Sequence, residues 1–182
     1  MRKLKNSELK RLSGEEFKKA KKKPICVVLD NIRSANNVGS VFRTSDAFLI
    51  EKIFLCGFTS CPPNPEIHKT ALGATDTVEW EKYEHTIELI RKLKSEGYTI
   101  ISVEQTENSV MADDFVPEKN VNYALVFGNE VNGVDQDIVD LSDFCLEIPQ
   151  FGTKHSLNIS VCAGIVLWDF TRKMQAQYPD NK

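Results

Sequence analysis

Short apolar runs rich in β-branched residues alternate along the chain with segments of helical pattern. Five runs predict buried strands, at 25–29, 52–56, 98–103, 123–127 and 144–148. Because these runs are continuously apolar, they favour a mainly parallel sheet that is covered on both faces. Helical patterns lie at about 38–48, 84–96, 135–141 and 157–175. The alternation predicts an α/β domain with helices on both faces of the sheet.

Two segments depart from this alternation. Residues 59–74, TSCPPNPEIHKTALGA, are interpreted as a long proline-rich loop. The last predicted helix, with the stretch LNISVCAGIVLWDF, is apolar almost all the way round, although a helix outside a sheet needs only one apolar face. The second apolar face indicates contact with another subunit, and a helix buried centrally within one domain is the alternative.

Length and composition are those of a soluble globular domain. The 182 residues suit one hydrophobic core, no apolar run is long enough to span a bilayer, and residues 1–23 lack the apolar stretch of a signal peptide. Five cysteines without a C-x-x-C pair indicate reduced thiols in a cytoplasmic protein. The three histidines share no metal-ligand spacing, so we expect no metal.

The net charge of −3 conceals an asymmetry along the chain. Residues 1–23 contain ten Lys or Arg and three Glu, whereas the rest of the chain is acidic. Ser13 and Glu16 fit a capping box, and Pro24 ends the basic run. We therefore divide the chain into a basic helical arm (1–23), a main domain (24–176) and a short tail (177–182). The arm is either an RNA contact or a solvated tail.

Three polar clusters each follow a predicted strand, at the sheet edge where open α/β sheets bind ligands. The first contains Asn36, Asn37, Gly39 and Arg43. If a helix begins near Val38, Asn37 can be its N-cap, and Arg43 lies about a turn and a half further along. An ion pair from Arg43 to Asp46 is the purely structural alternative.

The second cluster is FGNEVNGVD, residues 127–135, and the third is IPQFGTKHSLNIS, residues 148–160. In the second, Gly128 and Gly133 permit a tight loop around Glu130. In the third, Ser156 can cap the last helix and Asn158 lies in its first turn. Taken alone, each segment also fits an ordinary turn or helix cap.

Together the three clusters resemble the three motifs of the SpoU-type (TrmH-like) RNA ribose methyltransferases of the SPOUT superfamily. The motifs are Asn37-x-Gly39-x-x-x-Arg43, FGNEVNGV and IPQFGTKHSLNIS, and the resemblance spans residues 25 to about 175. It implies a C-terminal deep trefoil knot and a homodimer with an active site built across the interface. It also implies that S-adenosylmethionine (SAM) binds against Phe127, Gly128, Asn129, Ile148 and Leu157.

The implied reaction is attack of an RNA ribose 2′-OH on the methyl group of SAM. By matching positions, Arg43 grips a phosphate and stabilises the developing alkoxide, because a guanidinium does not readily deprotonate. Glu130 orients Arg43 or accepts the proton. Asn37, Ser156 and Asn158 position the ribose and phosphate.

The resemblance leaves the RNA and the activity open. The chain carries no separate N-terminal RNA-binding domain, so we expect tRNA rather than rRNA as the substrate. Two other hypotheses remain. One is a catalytically silent RNA-binding module of the same fold, and the other is an α/β protein that binds NAD or ATP and not SAM.

Overall fold

The computed structural model describes residues 1–177, and its centre is a seven-stranded sheet. The strands are β1 (Lys23–Asp30), β2 (Ile50–Cys56), β3 (Glu79–Tyr83), β4 (Tyr98–Val103), β5 (Val110–Met111), β6 (Asn122–Phe127) and β7 (Phe144–Glu147). Their order in the sheet is β3-β2-β1-β6-β4-β7-β5, and every neighbouring pair is parallel. The predicted parallel sheet is confirmed, and all five predicted strands are present.

Helices cover both faces of this sheet. They are α1 (Gly14–Lys19), α2 (Ala35–Ala47), α3 (Pro65–Ala71), α4 (Thr86–Ser95), α5 (Gln136–Leu141) and α6 (Ile159–Gln177). One core cluster joins the sheet to α1, α2, α3 and α6, and a second joins it to α4 and α5. Side chains of β1 alternate between the two, with Val27 in the first and Val28 in the second. Burial on both sides explains the continuous apolar runs.

The predicted loop at 59–74 is wrong for residues 65–71, which form α3. Asn64 caps this helix by accepting from the backbone N–H groups of Glu66 and Ile67, and Pro65 occupies the first helical position. The helix packs closely on α2, because a Cβ at Gly39 would lie 2.1 Å from Thr70 Oγ1. The cluster of prolines concealed a helix of only seven residues.

The basic N-terminal segment is only partly an arm. Its predicted capping box is confirmed, since Ser13 Oγ accepts from Glu16 N and the Glu16 carboxylate accepts from Ser13 N at 2.7 Å. However, Phe17 is 4% exposed and belongs to the main core, and β1 already begins at Lys23. Helix α1 is therefore part of the domain. The predicted tail lies outside the described residues, apart from Gln177.

The last helix, α6, buries one face and leaves a second apolar face exposed. Ala163, Val166, Leu167 and Phe170 are buried in the core. Val161, Ile165 and Trp168 are 50%, 39% and 53% exposed and form a stripe at intervals of four and three residues. The helix is thus not buried within one domain. In the described part of the chain, no helix combines the length and apolarity that a membrane span requires.

Candidate active site

The three polar clusters meet at the carboxyl edge of the sheet. The first follows β1, the second follows the adjacent β6, and the third links β7 to α6. Asn158 Nδ2 donates to Asn37 Oδ1 at 3.2 Å, and Asn37 Nδ2 donates to Glu130 Oε1 at 3.1 Å. These three side chains, which we call the amide–carboxylate chain, join all three clusters by direct hydrogen bonds.

The carboxylate of Glu130 also holds the backbone before α2. Its Oε2 accepts from Arg33 N at 2.9 Å, and its Oε1 accepts from Ser34 N at 3.1 Å. Partial burial works to raise the pKa of Glu130. Hydrogen bonds from the backbone of Arg33, Glu130 and Ser34 and from the Asn37 amide outweigh it, so the pKa lies below its usual value. Glu130 is therefore held as an anion that accepts hydrogen bonds.

Both predicted helix caps lie at other residues. Helix α2 is capped by Ser34, whose side chain accepts from Asn37 N, and Asn37 lies inside the first turn. Helix α6 begins at Ile159 after Asn158, whose Oδ1 accepts from Ser160 N at 2.9 Å, so Ser156 is not the cap. The cap of α2 is thus three residues before the predicted one, which leaves the side-chain amide of Asn37 available to the site. The cap of α6 is two residues after the predicted one, which gives Asn158 a structural role as well.

The loop after β6 requires its glycines. Asn129 and Gly133 exchange two backbone hydrogen bonds of 2.9 Å, and Gly133 has a φ of +71°. A Cβ at Gly128 would lie 2.2 Å from the backbone of Gly133. The side chain of Asn129 donates to the carbonyl of Asn31 at 2.8 Å and so ties this loop to the end of β1. The loop therefore presents Glu130 from a fixed backbone.

A cavity of about 540 Å³ lies beside the amide–carboxylate chain. All five predicted cofactor residues line it, namely Phe127, Gly128, Asn129, Ile148 and Leu157. Three of the predicted catalytic residues line it as well, namely Glu130, Ser156 and Asn158. Its size is that of a site for a small molecule or cofactor. The structure thus brings these eight predicted residues together around one cavity.

The charge of the cavity distinguishes between ligands. Glu104, Glu130 and Glu147 line it, and no lysine or arginine does so among the described residues. Carboxylates favour a cation nearby and disfavour phosphates. A ligand with a sulfonium and an ammonium group fits this lining, whereas the phosphates of NAD or ATP do not. The residues present therefore fit SAM.

Two lining residues escaped the sequence analysis, Glu104 and Gln105 at the end of β4. The Glu104 carboxylate accepts from Val134 N at 3.0 Å, and Gln105 Nε2 donates to the carbonyl of His155 at 2.7 Å. They brace the second and third clusters from the β4 side. The sequence could have indicated both residues, because the polar stretch EQT directly follows a predicted strand at the same sheet edge.

Arg43 is the predicted site residue that joins neither the cavity lining nor the amide–carboxylate chain. It lies six residues beyond Asn37 on α2, which places it about 9 Å further along the axis and about a third of a turn away. Its side chain is exposed and, within residues 1–177, makes no hydrogen bond or ion pair. Asp46 instead accepts from Thr77 Oγ1 at 2.6 Å, so the Arg43–Asp46 ion pair is absent.

Comparisons with known proteins point to one family. The model of the SpoU rRNA Methylase family matches residues 24–168. The 23S rRNA (guanosine-2'-O-)-methyltransferase RlmB of Neisseria meningitidis is 31% identical, over 82% of this chain and 59% of that protein. The tRNA (guanosine(18)-2'-O)-methyltransferase of Aquifex aeolicus is 29% identical, over 92% of this chain and 77% of that protein.

Solved structures show the same architecture. The A. aeolicus TrmH/SpoU tRNA modifying enzyme aligns with a TM-score of 0.79 at 26% identity, over 90% of this chain and 81% of that one. An AdoMet-bound rRNA methyltransferase from Sinorhizobium meliloti shares the fold at 23% identity and a TM-score of 0.78. The chain spans less than two thirds of the Neisseria relative and about a tenth of a mouse relative, TARBP1.

Proposed function

The chain belongs to the SpoU rRNA methylase family, and we propose that it is a SAM-dependent RNA methyltransferase acting on a ribose 2′-OH. The observation that carries the proposal is the amide–carboxylate chain beside an acidic cavity. It joins the three family motifs by direct hydrogen bonds between their side chains. A silent module would have no need to hold these groups in one arrangement.

We assign the cavity to SAM, held by Phe127, Gly128, Asn129, Ile148 and Leu157. When bound, SAM supplies an activated methyl group on a sulfonium. The chain then has to align the ribose hydroxyl and stabilise its developing charge.

Within that division of labour Glu130 is a positioning residue. Its oxygens already accept three hydrogen bonds, and its lowered pKa makes it a weak base. It fixes the amide of Asn37, which in turn fixes Asn158. These two amides and the hydroxyl of Ser156 are the groups we assign to the ribose and phosphate. Glu130 does not orient Arg43 of the same chain, because α2 carries Arg43 away from it.

We further propose that the enzyme is a homodimer in which Arg43 serves the site of the partner. The apolar stripe of α6 supplies the interface, because Val161, Ile165 and Trp168 are exposed. Ala47, one turn beyond Arg43, lines a recess with Trp168, which places Arg43 on the same surface. In an isologous dimer each copy offers the same surface, so each arginine can reach the other chain.

A trefoil knot stays a prediction. It is supported by the path of the chain through the third cluster. This segment starts at the end of β7, which lies on one side of β4 in the sheet, and leads to α6. Helix α6 packs with α2, which follows β1 on the other side of β4, beyond β6. On the way, the carbonyl of His155 accepts from Gln105 in the loop after β4. The five free thiols support the predicted cytoplasmic location.

Methyl transfer from radiolabelled SAM, offered with bulk tRNA and separately with rRNA, tests the reaction and the substrate class. We expect label on tRNA, lost in Arg43→Ala and kept in Arg91→Ala, an exposed arginine of α4 on the opposite face. Label on rRNA alone would correct the substrate. Binding of S-adenosylhomocysteine without label on either RNA would favour the silent module, and absence of both would overturn the proposal.

Mixed dimers test whether the site is shared. Arg43→Ala and Asn158→Ala are each expected to be inactive alone. Unfolded together and refolded in equal amounts, they form mixed dimers, and one of the two sites in each has both residues only if Arg43 comes from the partner chain. If Arg43 acts across the interface, about a quarter of wild-type activity returns, since about half the dimers are mixed. No recovery, with mixed dimers present, would place Arg43 in its own site.

A further inference from the structure

We propose that Phe151 and Phe58 stack on unpaired RNA bases that flank the ribose bound at the amide–carboxylate chain. This inference rests on the proposed function and concerns how the same site holds its substrate. It assigns a role to two exposed aromatic rings that the fold does not use.

Phe151 lies in the loop between β7 and α6. Gln150 and Leu157 in this loop line the cavity, but Phe151 does not, and its side chain is 97% exposed. Phe151 is the most exposed aromatic residue in the described part of the chain, so its ring contributes nothing to the core. Lys154 and His155, which follow in the same loop, are also exposed.

Phe58 lies on the other side of the site, just after β2. Its backbone is fixed, because Phe58 N donates to Asn31 Oδ1 at 3.2 Å and the carbonyl of Asn31 accepts from Asn129. Its ring is nevertheless 62% exposed. The ends of β2 and β6 are two strand spacings apart, or about 10 Å, so a base next to a ribose held near Glu130 can reach this ring.

Cationic side chains accompany each ring. Arg33, whose backbone N–H donates to Glu130, is exposed and makes no side-chain hydrogen bond or ion pair within residues 1–177. Lys154 follows Phe151 by three residues in the same loop and is likewise exposed. Exposed aromatic rings interleaved with cations are the pattern by which proteins hold single-stranded nucleic acid, since the rings stack on bases and the cations contact phosphates.

The binding of a short fluorescein-labelled oligouridylate tests the stacking directly. We expect Phe151→Ala and Phe58→Ala each to weaken binding about fivefold to a hundredfold, the range for loss of one stacking aromatic. Phe151→Trp should retain affinity, and Phe151→Leu should not, because leucine keeps the apolar area without the aromatic face. Val116→Ala, an exposed apolar residue in the segment before β6, is the matched control and should bind as wild type.

A base-free ribose phosphate strand and S-adenosylhomocysteine complete the design. All variants should bind each of them equally, since the proposed contacts of the rings are with bases and neither Phe58 nor Phe151 lines the cavity. Full affinity of Phe151→Leu for oligouridylate, or none lost by either alanine variant, would overturn the proposal. So would a change of sedimentation coefficient in the alanine variants, which would assign the rings to a protein interface.

Failure of this inference and failure of the proposed function give different results. The binding assay needs no methyl transfer, so stacking without methylation would leave the inference standing and refute the activity. Methylation by wild type and by both alanine variants at equal kcat/KM would retain the activity and refute the stacking.

Discussion

Replacing Glu130 by glutamine tests the central geometric claim, that an anion at this position orders the site. Glutamine keeps the shape but presents an amide group where Glu130 accepts hydrogen bonds from Arg33 N, Ser34 N and Asn37 Nδ2. At least one of these donors then faces another donor. Hydrogen bonds to a charged group contribute about 1.5–3 kcal/mol when buried, and water replaces much of this at an exposed residue. We expect a loss of about 1 kcal/mol, or a Tm lower by about 2–4 °C.

The pH dependence distinguishes charge from shape. The pKa of Glu130 is lower in the folded protein than its usual value of 4.5. A carboxyl group of this kind stabilises the fold fully above its unfolded pKa, and the stabilisation is lost as the pH falls through the lower folded pKa. The difference in stability between wild type and Glu130→Gln should therefore be constant near neutral pH and shrink below pH 4.5.

Urea unfolding of both proteins at a series of pH values measures this difference, with Glu79→Gln as control. Glu79 is exposed on β3 and, within residues 1–177, makes no side-chain hydrogen bond or ion pair. Methyl transfer by Glu130→Gln should fall by more than the loss of stability explains, on the order of tenfold to a hundredfold, because Asn37 loses its anchor. Equal stability and activity at neutral pH would show that Glu130 does not order the site, and a stability difference that persists unchanged in acid would show that its charge has no part in this.

Three further changes have expected outcomes. Gly39→Ala should lower the free energy of unfolding in a urea titration by about 1–3 kcal/mol, because its Cβ would lie 2.1 Å from Thr70 Oγ1. Gly14→Ala should be neutral in the same titration, because the nearest atom to its Cβ, on Thr77, is 3.6 Å away. Trp168→Asp should shift the sedimentation coefficient from dimer to monomer, and an unchanged dimer would contradict the α6 interface. Burial raises the pKa of Cys26, Cys56 and Cys162 to about 12, and only the thiolate form of a cysteine is alkylated readily. Mass-spectrometric mapping of alkylation near pH 8 should therefore find these three thiols unreactive until the protein is unfolded.

The sequence predicted the sheet well because burial on both faces leaves a strong signal. Strands β1, β4 and β6 are continuous apolar runs for that reason. It failed at α3, where Pro65 reads as a loop residue although proline is well suited to the first helical position. Strand β3 was missed because it lies at the sheet edge, where no residue of EWEKY is fully buried.

The site was predictable in membership and not in geometry. That three clusters would meet followed from parallel strands ending at one edge. The hydrogen bond from Asn37 to Glu130 could not be predicted in the same way. It depends on whether α2 begins at residue 35 or 38, and sequence-based prediction does not fix a helix boundary to three residues. The separation of Arg43 from Asn37 was predicted as about a turn and a half of helix, because six residues of α-helix fix a translation of about 9 Å whatever the boundary.

One carboxylate determines the orientation of every amide in the chain. A carboxylate only accepts, so Asn37 must present Nδ2 to Glu130 and Oδ1 to its other neighbour. Asn158 must then donate its own Nδ2 to Asn37, which leaves its Oδ1 free to cap α6 through Ser160 N. Reversing any one amide would oppose two donors or two acceptors. The charge of Glu130 is thus linked to the start of α6, and a substrate hydroxyl entering beside Asn37 and Asn158 meets amides whose donors and acceptors are already assigned.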